Sequence, residues 1–291
     1  AEIEVLARKE TFVFIGFLLF LNISNFNYSS NLPLYYVFFI LPIICLIWEP
    51  VFFFFPFIAS VLVIRLRHNQ TTTLLSKITI CFIPALIVAM IIAVNPITPE
   101  NHSILANSLY SIGEDCYMSC GMLLSRSSII SQFVQNFKSV TFDGLIRYPL
   151  IILIGFGPIF LLSLNSKLKT KILFFEYFNN LFYPILLLLT PVLFLFAMGG
   201  DWGRWVNISY TFTALFYFYL LQNNLLEINL EKITKKISFI QNKKSLLVIC
   251  FILYAFGWTP QTTLRGDVSS FPGYRVPYKT MKILYHKIDN N

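Results

Sequence analysis

The chain has 291 residues, of which 56% are hydrophobic and only 12% are charged. Soluble domains usually contain about 25% charged residues, and a soluble fold of this size cannot bury so much apolar surface. The composition therefore predicts an all-α, polytopic bundle of transmembrane helices, with the lipid bilayer as its main partner. No cofactor and no nucleic-acid partner are expected.

Apolar runs long enough to cross a bilayer recur along the chain and predict about eight spanning helices. A charged stretch, Ala1–Glu10, leads abruptly into the first run, so we expect the chain to be a fragment of a longer polytopic protein. The second and third runs are separated only by Glu49-Pro50. They are too long together for one straight helix, which leaves two spans joined by a tight turn or a broken, re-entrant pair. The predicted spans are Thr11–Phe26, Leu32–Trp48, Val51–Ile64, Lys77–Val94, Arg147–Leu164, a segment within Lys171–Met198, Trp205–Gln222 and Ser245–Trp258.

Basic residues predict the orientation of these spans. Half of the lysines and arginines, 11 of 22, lie in or directly beside three short loops, Arg65–Ser76, Asn165–Lys171 and Asn223–Lys244. The other 11 are spread over longer segments of the opposite face, where the positive-inside rule is weak. Eight alternating spans place all three loops on one face, which the positive-inside rule makes cytoplasmic. Most acidic residues fall on the opposite face, so the net charge of +8 lies where anionic lipids attract it.

Within this single transmembrane domain, residues 1–291, two outer-face regions do not span: the loop 95–146 and the tail 259–291. In the loop, apolar residues between Met122 and Phe137 recur at helical spacing, which predicts an amphipathic helix on the membrane surface. Cys116 and Cys120 can form a disulfide if the outer face is oxidising, provided the backbone between them is not a regular helix. Only His102 is nearby, so no metal site is expected.

The boundary segment Gly199–Trp205 is the main site candidate. Asp201 and Arg204 are three residues apart and can pair on a helix, and charges this close to hydrocarbon are costly unless they are satisfied. We expect both at the outer boundary, with at least one facing the protein interior. The alternative is structural: Trp202 and Trp205 anchor the segment at the interface, and the ion pair is a clasp.

Glu49 is the second candidate, because it lies between two apolar spans. It suits a general base, a proton relay or a cation site, but it is also compatible with an ordinary loop residue. Prolines in five successive spans bend their helices and can leave cavities between them. Bent helices suit both transporters and intramembrane enzymes.

The segment Gly200-Asp201-Trp202-Gly203-Arg204-Trp205 resembles one found in uncharacterised polytopic bacterial proteins of surface-polysaccharide gene clusters. Arg8-Lys9-Glu10, Trp48-Glu49 and the outer pair Cys116 and Cys120 fit the same pattern. Those proteins are similar in layout to polyprenyl-linked-sugar glycosyltransferases and O-antigen polymerases. The resemblance implies a multi-pass protein of the bacterial inner membrane that handles a polyprenyl-phosphate-linked sugar.

The leading hypothesis is glycosyl transfer from a lipid-linked sugar at the outer face during envelope glycan assembly. A carboxylate would deprotonate the acceptor hydroxyl, and guanidinium groups would bind the departing phosphate. The alternatives are a non-enzymatic transporter or flippase, which needs a polar path through the membrane, and a structural subunit, which needs no site. The proposed bases are Asp201 and Glu49, the proposed phosphate ligands are Arg204, Arg147, Arg265 and Arg275, and Trp202 and Trp205 would contact the substrate.

Overall fold

The computed structural model describes most of the chain up to residue 232 and a few residues beyond it. The predicted tail 259–291, which contains Arg265 and Arg275, lies outside the described residues. The described residues are 9–26, 28, 31–67, 74–95, 97–116, 120, 129–140, 142–169, 173–200, 202–229, 231, 232, 245, 248, 249 and 254.

The protein is 81% helical, in keeping with the predicted all-α class. The described residues also include two short 3-10 helices and a two-stranded antiparallel sheet. The α-helices are α1 (Lys9–Ile23), α2 (Leu32–Ile47), α3 (Phe55–Arg67), α4 (Leu74–Val94), α5 (Pro99–Ser111), α6 (Ile129–Ser139), α7 (Phe142–Leu164), α8 (Phe182–Leu189), α9 (Val192–Met198) and α10 (Trp202–Gln222). The 3-10 helices are Glu49–Phe54 and Leu173–Tyr177, and the strands are β1 (Ser166–Leu168) and β2 (Leu226–Ile228).

Aromatic rings form the core between α1, α3 and α10. The ring of Phe212 in α10 stacks on Phe17 of α1 at 4.4 Å and on Phe54 at 4.5 Å between ring centroids. Phe57 of α3 contacts both Phe212 and Phe216. Aromatic pairs add about 0.5–1.5 kcal/mol each beyond their buried area. This packing fixes α10 against α1 and thereby sets the position of the first turn of α10.

The chain reverses direction at Trp48, where the second and third predicted spans meet. Trp48 has extended backbone (φ −154°, ψ 95°), which ends α2, and Pro50 lies in the first turn of the following 3-10 helix. Arg65, near the end of α3, donates a hydrogen bond to the carbonyl of Tyr28, just before α2 begins. The two helical segments are therefore antiparallel and joined by a tight turn, the first of the two alternatives.

Two helical stretches among the described residues are long and apolar enough to cross a membrane, Glu49–Leu66 and Leu75–Val94. Only 22% of the residues in Leu75–Val94 are buried within the protein, so its apolar side chains largely face outwards. Large exposed apolar residues also line α1 and α2, including Phe12, Tyr35 and Phe39. Such an extensive apolar surface is typical of contact with lipid. By length and apolar composition together, two of the eight predicted spans correspond to membrane-length helices among the described residues, and the eight-span arrangement remains a prediction.

The sixth span, predicted within Lys171–Met198, corresponds to two short helices that meet at a proline. The segment Lys171–Met198 contains a 3-10 turn followed by the short helices α8 and α9, which are separated at Thr190-Pro191. Pro191 has no backbone N–H, and the amides of Leu193 and Phe194 bond three residues back, to Thr190 and Pro191. Both residues at the break keep helical φ and ψ. The proline thus tightens and bends the segment without unwinding it.

The predicted eighth span, Ser245–Trp258, lies mostly outside the described residues. Four of its residues are described, Ser245, Val248, Ile249 and Tyr254, and Tyr254 packs between α7 and α10. Its hydroxyl donates to the carbonyl of Gly155 at 2.9 Å and therefore accepts from the hydroxyl of Tyr210, also at 2.9 Å. Tyr254 thus lies beside the helices predicted as the fifth and seventh spans.

The loop 95–146 contains two described helices. The first, α5, was not predicted, although its start has a recognisable signal: Thr98 caps the helix by accepting a hydrogen bond from the amide of Asn101, and Pro99 follows the cap. The second, α6, coincides with the C-terminal part of the predicted amphipathic helix. Its apolar side chain Phe137 is 86% exposed, as expected for a helix whose apolar face meets lipid.

Contacts gather the loops at two opposite ends of the bundle. We call one the basic end: there β1 pairs with β2, with Lys167 opposite Glu227, and the hydroxyl of Tyr219 donates to the carbonyl of Ser24. We call the other the tryptophan end, because Trp48, Trp202 and Trp205 lie there. The three loops predicted to face the cytoplasm contribute described residues to the basic end.

Candidate functional site

The first turn of α10 begins directly after a glycine turn at the tryptophan end. Gly199 ends α9 in an extended conformation (φ −138°, ψ 144°), and α10 starts at Trp202. A Cβ added at Gly199 would lie 3.4 Å from Cζ2 of Trp205. The indole ring of Trp205 therefore packs over the glycine, a position at which a larger residue would crowd it.

Trp205 is buried against a second tryptophan. Its ring lies 6.0 Å from that of Trp48, which in turn stacks on Phe54 at 6.4 Å. Trp205 is 8% exposed, and its Nε1–H has no hydrogen-bond acceptor among the described residues. Buried polar groups are nearly always bonded, so an unsatisfied donor calls for an explanation. The Nε1–H is itself buried, so its acceptor belongs either to a residue outside the described ranges or to a bound group.

Arg204 forms an ion pair with Glu10, at the start of α1. The Nε of Arg204 lies 3.3 Å from Oε1 of Glu10, and the two side chains are 30% and 10% exposed. The pair joins the first helix to α10 across about two thirds of the sequence. Arg204 thus faces the protein as predicted, whereas Asp201, its predicted partner, lies outside the described residues. Their pairing stays a prediction.

Glu10 is the residue that sequence reasoning missed as a site member. A carboxylate immediately before an apolar span is an ordinary interfacial feature, and it gave no indication of its distant partner. In the structure Glu10 is 8% exposed despite its charge. Buried charges are retained when they are paired or bind a polar group. That burial makes Glu10 a candidate alongside Arg204.

Trp202 has a different role from Trp205. Its Nε1–H donates to the carbonyl of Phe196 at 2.8 Å, and its ring meets the edge of Tyr148 at a centroid distance of 5.1 Å. Asn136 of α6 donates to the same carbonyl at 2.8 Å and to that of Ala197 at 3.0 Å. Trp202 therefore fastens α10 to the end of α9, which matches the structural interpretation. Its contact with a substrate remains untested.

The structure brings Glu49 to the same end without placing it against Arg204. Glu49 is half-buried, begins the 3-10 helix and directly follows Trp48, whose ring packs on Trp205. Arg147 lies in α7, but its side chain is outside the described residues, as are Asp201, Arg265 and Arg275. The described site therefore consists of Glu10, Arg204 and Trp205, with Glu49 beside them.

Cys116 and Cys120 are joined by a disulfide, the pairing that their spacing suggested. Gly113, with a φ of +84°, lets the chain turn at the end of α5 and lead back towards its first turn. There the Nε2 of His102 lies 2.9 Å from the carbonyl oxygen of Cys120, to which it donates. His102 and Cys116 are fourteen residues apart in the sequence, and they come into contact because the chain turns back at Gly113.

Comparisons of this chain with protein-family models, curated proteins and solved structures find no significant match. The resemblance to polysaccharide-cluster proteins is therefore neither supported nor contradicted by them. Any functional argument has to rest on the side chains at the tryptophan end.

Proposed function

We propose that this chain is a multi-pass membrane protein of bacterial cell-envelope polysaccharide or glycolipid assembly. It binds a polyprenyl-phosphate-linked sugar at the tryptophan end, which faces the outside of the inner membrane. The two alternative roles are a transporter or flippase and a structural subunit.

The proposal rests on two adjacent residues: Trp205, whose buried N–H has no acceptor among the described residues, and Arg204, which is charged. Trp205 offers an Nε1–H, and the adjacent Arg204 offers a guanidinium group with several N–H donors. Phosphate and sugar oxygens are acceptors that match such donors, and guanidinium binds phosphate in a bidentate way. Both residues lie at the end of an apolar bundle, where a lipid-linked head group would sit.

For glycosyl transfer the same end also needs a base. The acceptor hydroxyl must lose its proton to a carboxylate while the sugar leaves the lipid phosphate, whose negative charge is stabilised by cations. Glu49 and Asp201 are the proposed bases, and Arg204 is the proposed phosphate ligand. The ion pair with Glu10 holds the guanidinium of Arg204 in place.

The proposal also includes the eight-span topology. The described loops lie alternately at the basic end and the tryptophan end along the chain, which supports this topology as far as residue 229. The basic end carries Arg65, Lys167 and Lys169, which favours the cytoplasmic side.

The described core gives less support to transport. A cavity of about 10 Å³ lies between α1, α2, α3 and α10, with apolar residues such as Phe17, Val37 and Leu41 in its lining. A cavity of that size holds one water at most. The buried hydroxyls of Ser209 and Thr213 bond to carbonyls of their own helix and line no path. A purely structural subunit would not need the unsatisfied donor of Trp205.

Binding of a polyprenyl phosphate to the purified protein in lipid nanodiscs tests the proposal. We expect the wild type to prefer undecaprenyl phosphate over phosphatidylglycerol, and Arg204→Gln to bind it at least about tenfold more weakly, since hydrogen bonds to charged groups contribute about 1.5–3 kcal/mol. Lys169→Gln removes an exposed cation at the basic end and should leave binding unchanged. Equal affinity of the wild type for both lipids would contradict the proposal.

A further inference from the structure

His102, Cys116 and Cys120 form a compact group of metal-ligating side chains away from the tryptophan-rich site. One potential ligand atom from each lies within 4.8 Å of the others. The Nε2 of His102 is 3.6 Å from the sulfur of Cys116 and 3.9 Å from that of Cys120. Cys116 is half-buried and Cys120 is buried, so the group is enclosed on one side and reachable on the other.

The two sulfur–nitrogen distances are close to those between neighbouring ligand atoms of a tetrahedral zinc site. With bonds of about 2.3 Å to sulfur and about 2.0–2.1 Å to nitrogen, two ligating sulfurs lie roughly 3.8 Å apart and a sulfur and a nitrogen roughly 3.6 Å apart. The imidazole nitrogen already has the required separation from the sulfur of Cys116. Only the two sulfurs, now bonded at 2.04 Å, would need to separate.

We propose that the reduced form of this group is a binding site for a thiophilic divalent cation of the zinc class. A dithiol reductant transfers two electrons and two protons to the disulfide and is itself oxidised to a disulfide, which leaves Cys116 and Cys120 as thiols. The cation then displaces both thiol protons and binds two thiolates and the imidazole. Three protein ligands leave a fourth position for water, the arrangement of an open zinc site.

Binding also changes the tautomer of His102. In the disulfide form Nε2 carries the proton, because it donates to the carbonyl of Cys120. To bind a metal, Nε2 must offer its lone pair, so the proton moves to Nδ1 and the hydrogen bond to Cys120 is given up. A small-molecule disulfide reverses these changes: it accepts two electrons from the two thiolates and two protons from water, becomes two thiols, and leaves the Cys116–Cys120 bond re-formed and the cation released. The site is therefore occupied only when the two cysteines are reduced.

Cobalt(II) titration of the full-length protein tests this inference, because cobalt replaces zinc and its thiolate complexes absorb visible light. The protein is reduced with a phosphine, which consumes one water, becomes a phosphine oxide and leaves no competing dithiol. Reduction should raise the titratable thiol count by two. Reduced wild type should then show thiolate-to-cobalt and tetrahedral bands that zinc removes, and unreduced protein should show neither.

Two variants locate the ligands. His102→Ala should weaken zinc binding at least about tenfold, since it removes one of three ligands. Ser103→Ala alters the neighbouring exposed residue of α5 and should bind like the wild type. The inference is overturned if reduced wild type gains two thiols but no cobalt bands, or if His102→Ala gives the same spectrum and affinity as the wild type.

Discussion

At the scale of single residues, Trp205 combines tight packing with an unused donor. Its ring is buried on Trp48 and over Gly199, but its Nε1–H has no acceptor among the described residues. Leaving a donor unsatisfied in a buried place costs about 1–3 kcal/mol. A residue that served packing alone could be phenylalanine and avoid that cost. We therefore propose that the indole of Trp205 serves binding, whereas Trp202, whose N–H donates to Phe196, fastens α10 to α9.

This contrast predicts opposite effects for two matched substitutions. Trp205→Phe removes the unsatisfied donor, so the melting temperature in detergent should stay the same or rise, while binding of undecaprenyl phosphate weakens. Trp202→Phe removes the bond to Phe196 and should cost about 0.5–1.5 kcal/mol of stability. If Trp205→Phe destabilises the protein as much as Trp202→Phe does, the N–H has an internal partner and the binding role is lost.

The ion pair between Glu10 and Arg204 allows a double-mutant cycle. Glu10→Gln and Arg204→Gln should each destabilise the protein by about 1–3 kcal/mol, because each removes the contact between two partly buried charges. The double variant should cost less than the sum, with a coupling energy of about 0.5–3 kcal/mol. Thermal unfolding in one detergent measures all four proteins. Strictly additive losses would mean that the two side chains do not interact.

At the scale of elements, the apolar pattern predicted helices far better than their interruptions. The boundaries of α2 and α4 agree with the predicted spans within three residues, since long apolar runs specify helices directly. The break between α8 and α9 follows from Pro191, but Pro42 and Pro84 lie inside unbroken helices. A proline alone therefore does not reveal whether a helix bends or ends, because that depends on the packing around it.

Short elements were missed for another reason. The strands β1 and β2 have three residues each, and each is stabilised by the other and not by its own sequence. The pairing of Glu10 with Arg204 could not be predicted from the sequence either. Asp201 is the nearer acidic residue in sequence, and two residues separated by almost two hundred positions show no pattern that indicates their contact. Long-range pairing is set by the packing of α1 on α10.

Asn136 attaches α6 to the bundle. It is buried, and its amide nitrogen donates to two carbonyls at the end of α9. Asn136→Leu should leave both without that donor and free α6 from the bundle, at a cost of about 1–3 kcal/mol. Faster amide exchange or proteolysis within Ile129–Ser139 would show the release. Lys138→Ala, at an exposed position of the same helix, is the control, and unchanged protection in Asn136→Leu would contradict the attachment.

At the scale of the whole molecule, the two ends differ in chemistry as well as in position. The basic end carries Lys167 and Lys169 as exposed residues in and next to the paired strands β1 and β2. The tryptophan end, in contrast, holds Glu10 and Arg204 as a partly buried ion pair. Exposed lysines suit the attraction of anionic lipids on the cytoplasmic side. A partly buried pair among tryptophans suits recognition of a head group on the other side. The proposed function therefore depends on the direction of insertion.

Cysteine accessibility measures that direction. Lys167→Cys lies on the exposed face of β1 and Glu100→Cys on the exposed first turn of α5. If the basic end faces the cytoplasm, a membrane-impermeant maleimide should label residue 100 in intact cells and residue 167 only after the membrane is disrupted, because the positive-inside rule places the lysine-rich loops inside. The unsubstituted chain, with its native cysteines, gives the background. Labelling of residue 167 alone in intact cells would invert the protein and place the tryptophan end in the cytoplasm. Labelling of both in intact cells would contradict the alternation of spans between them.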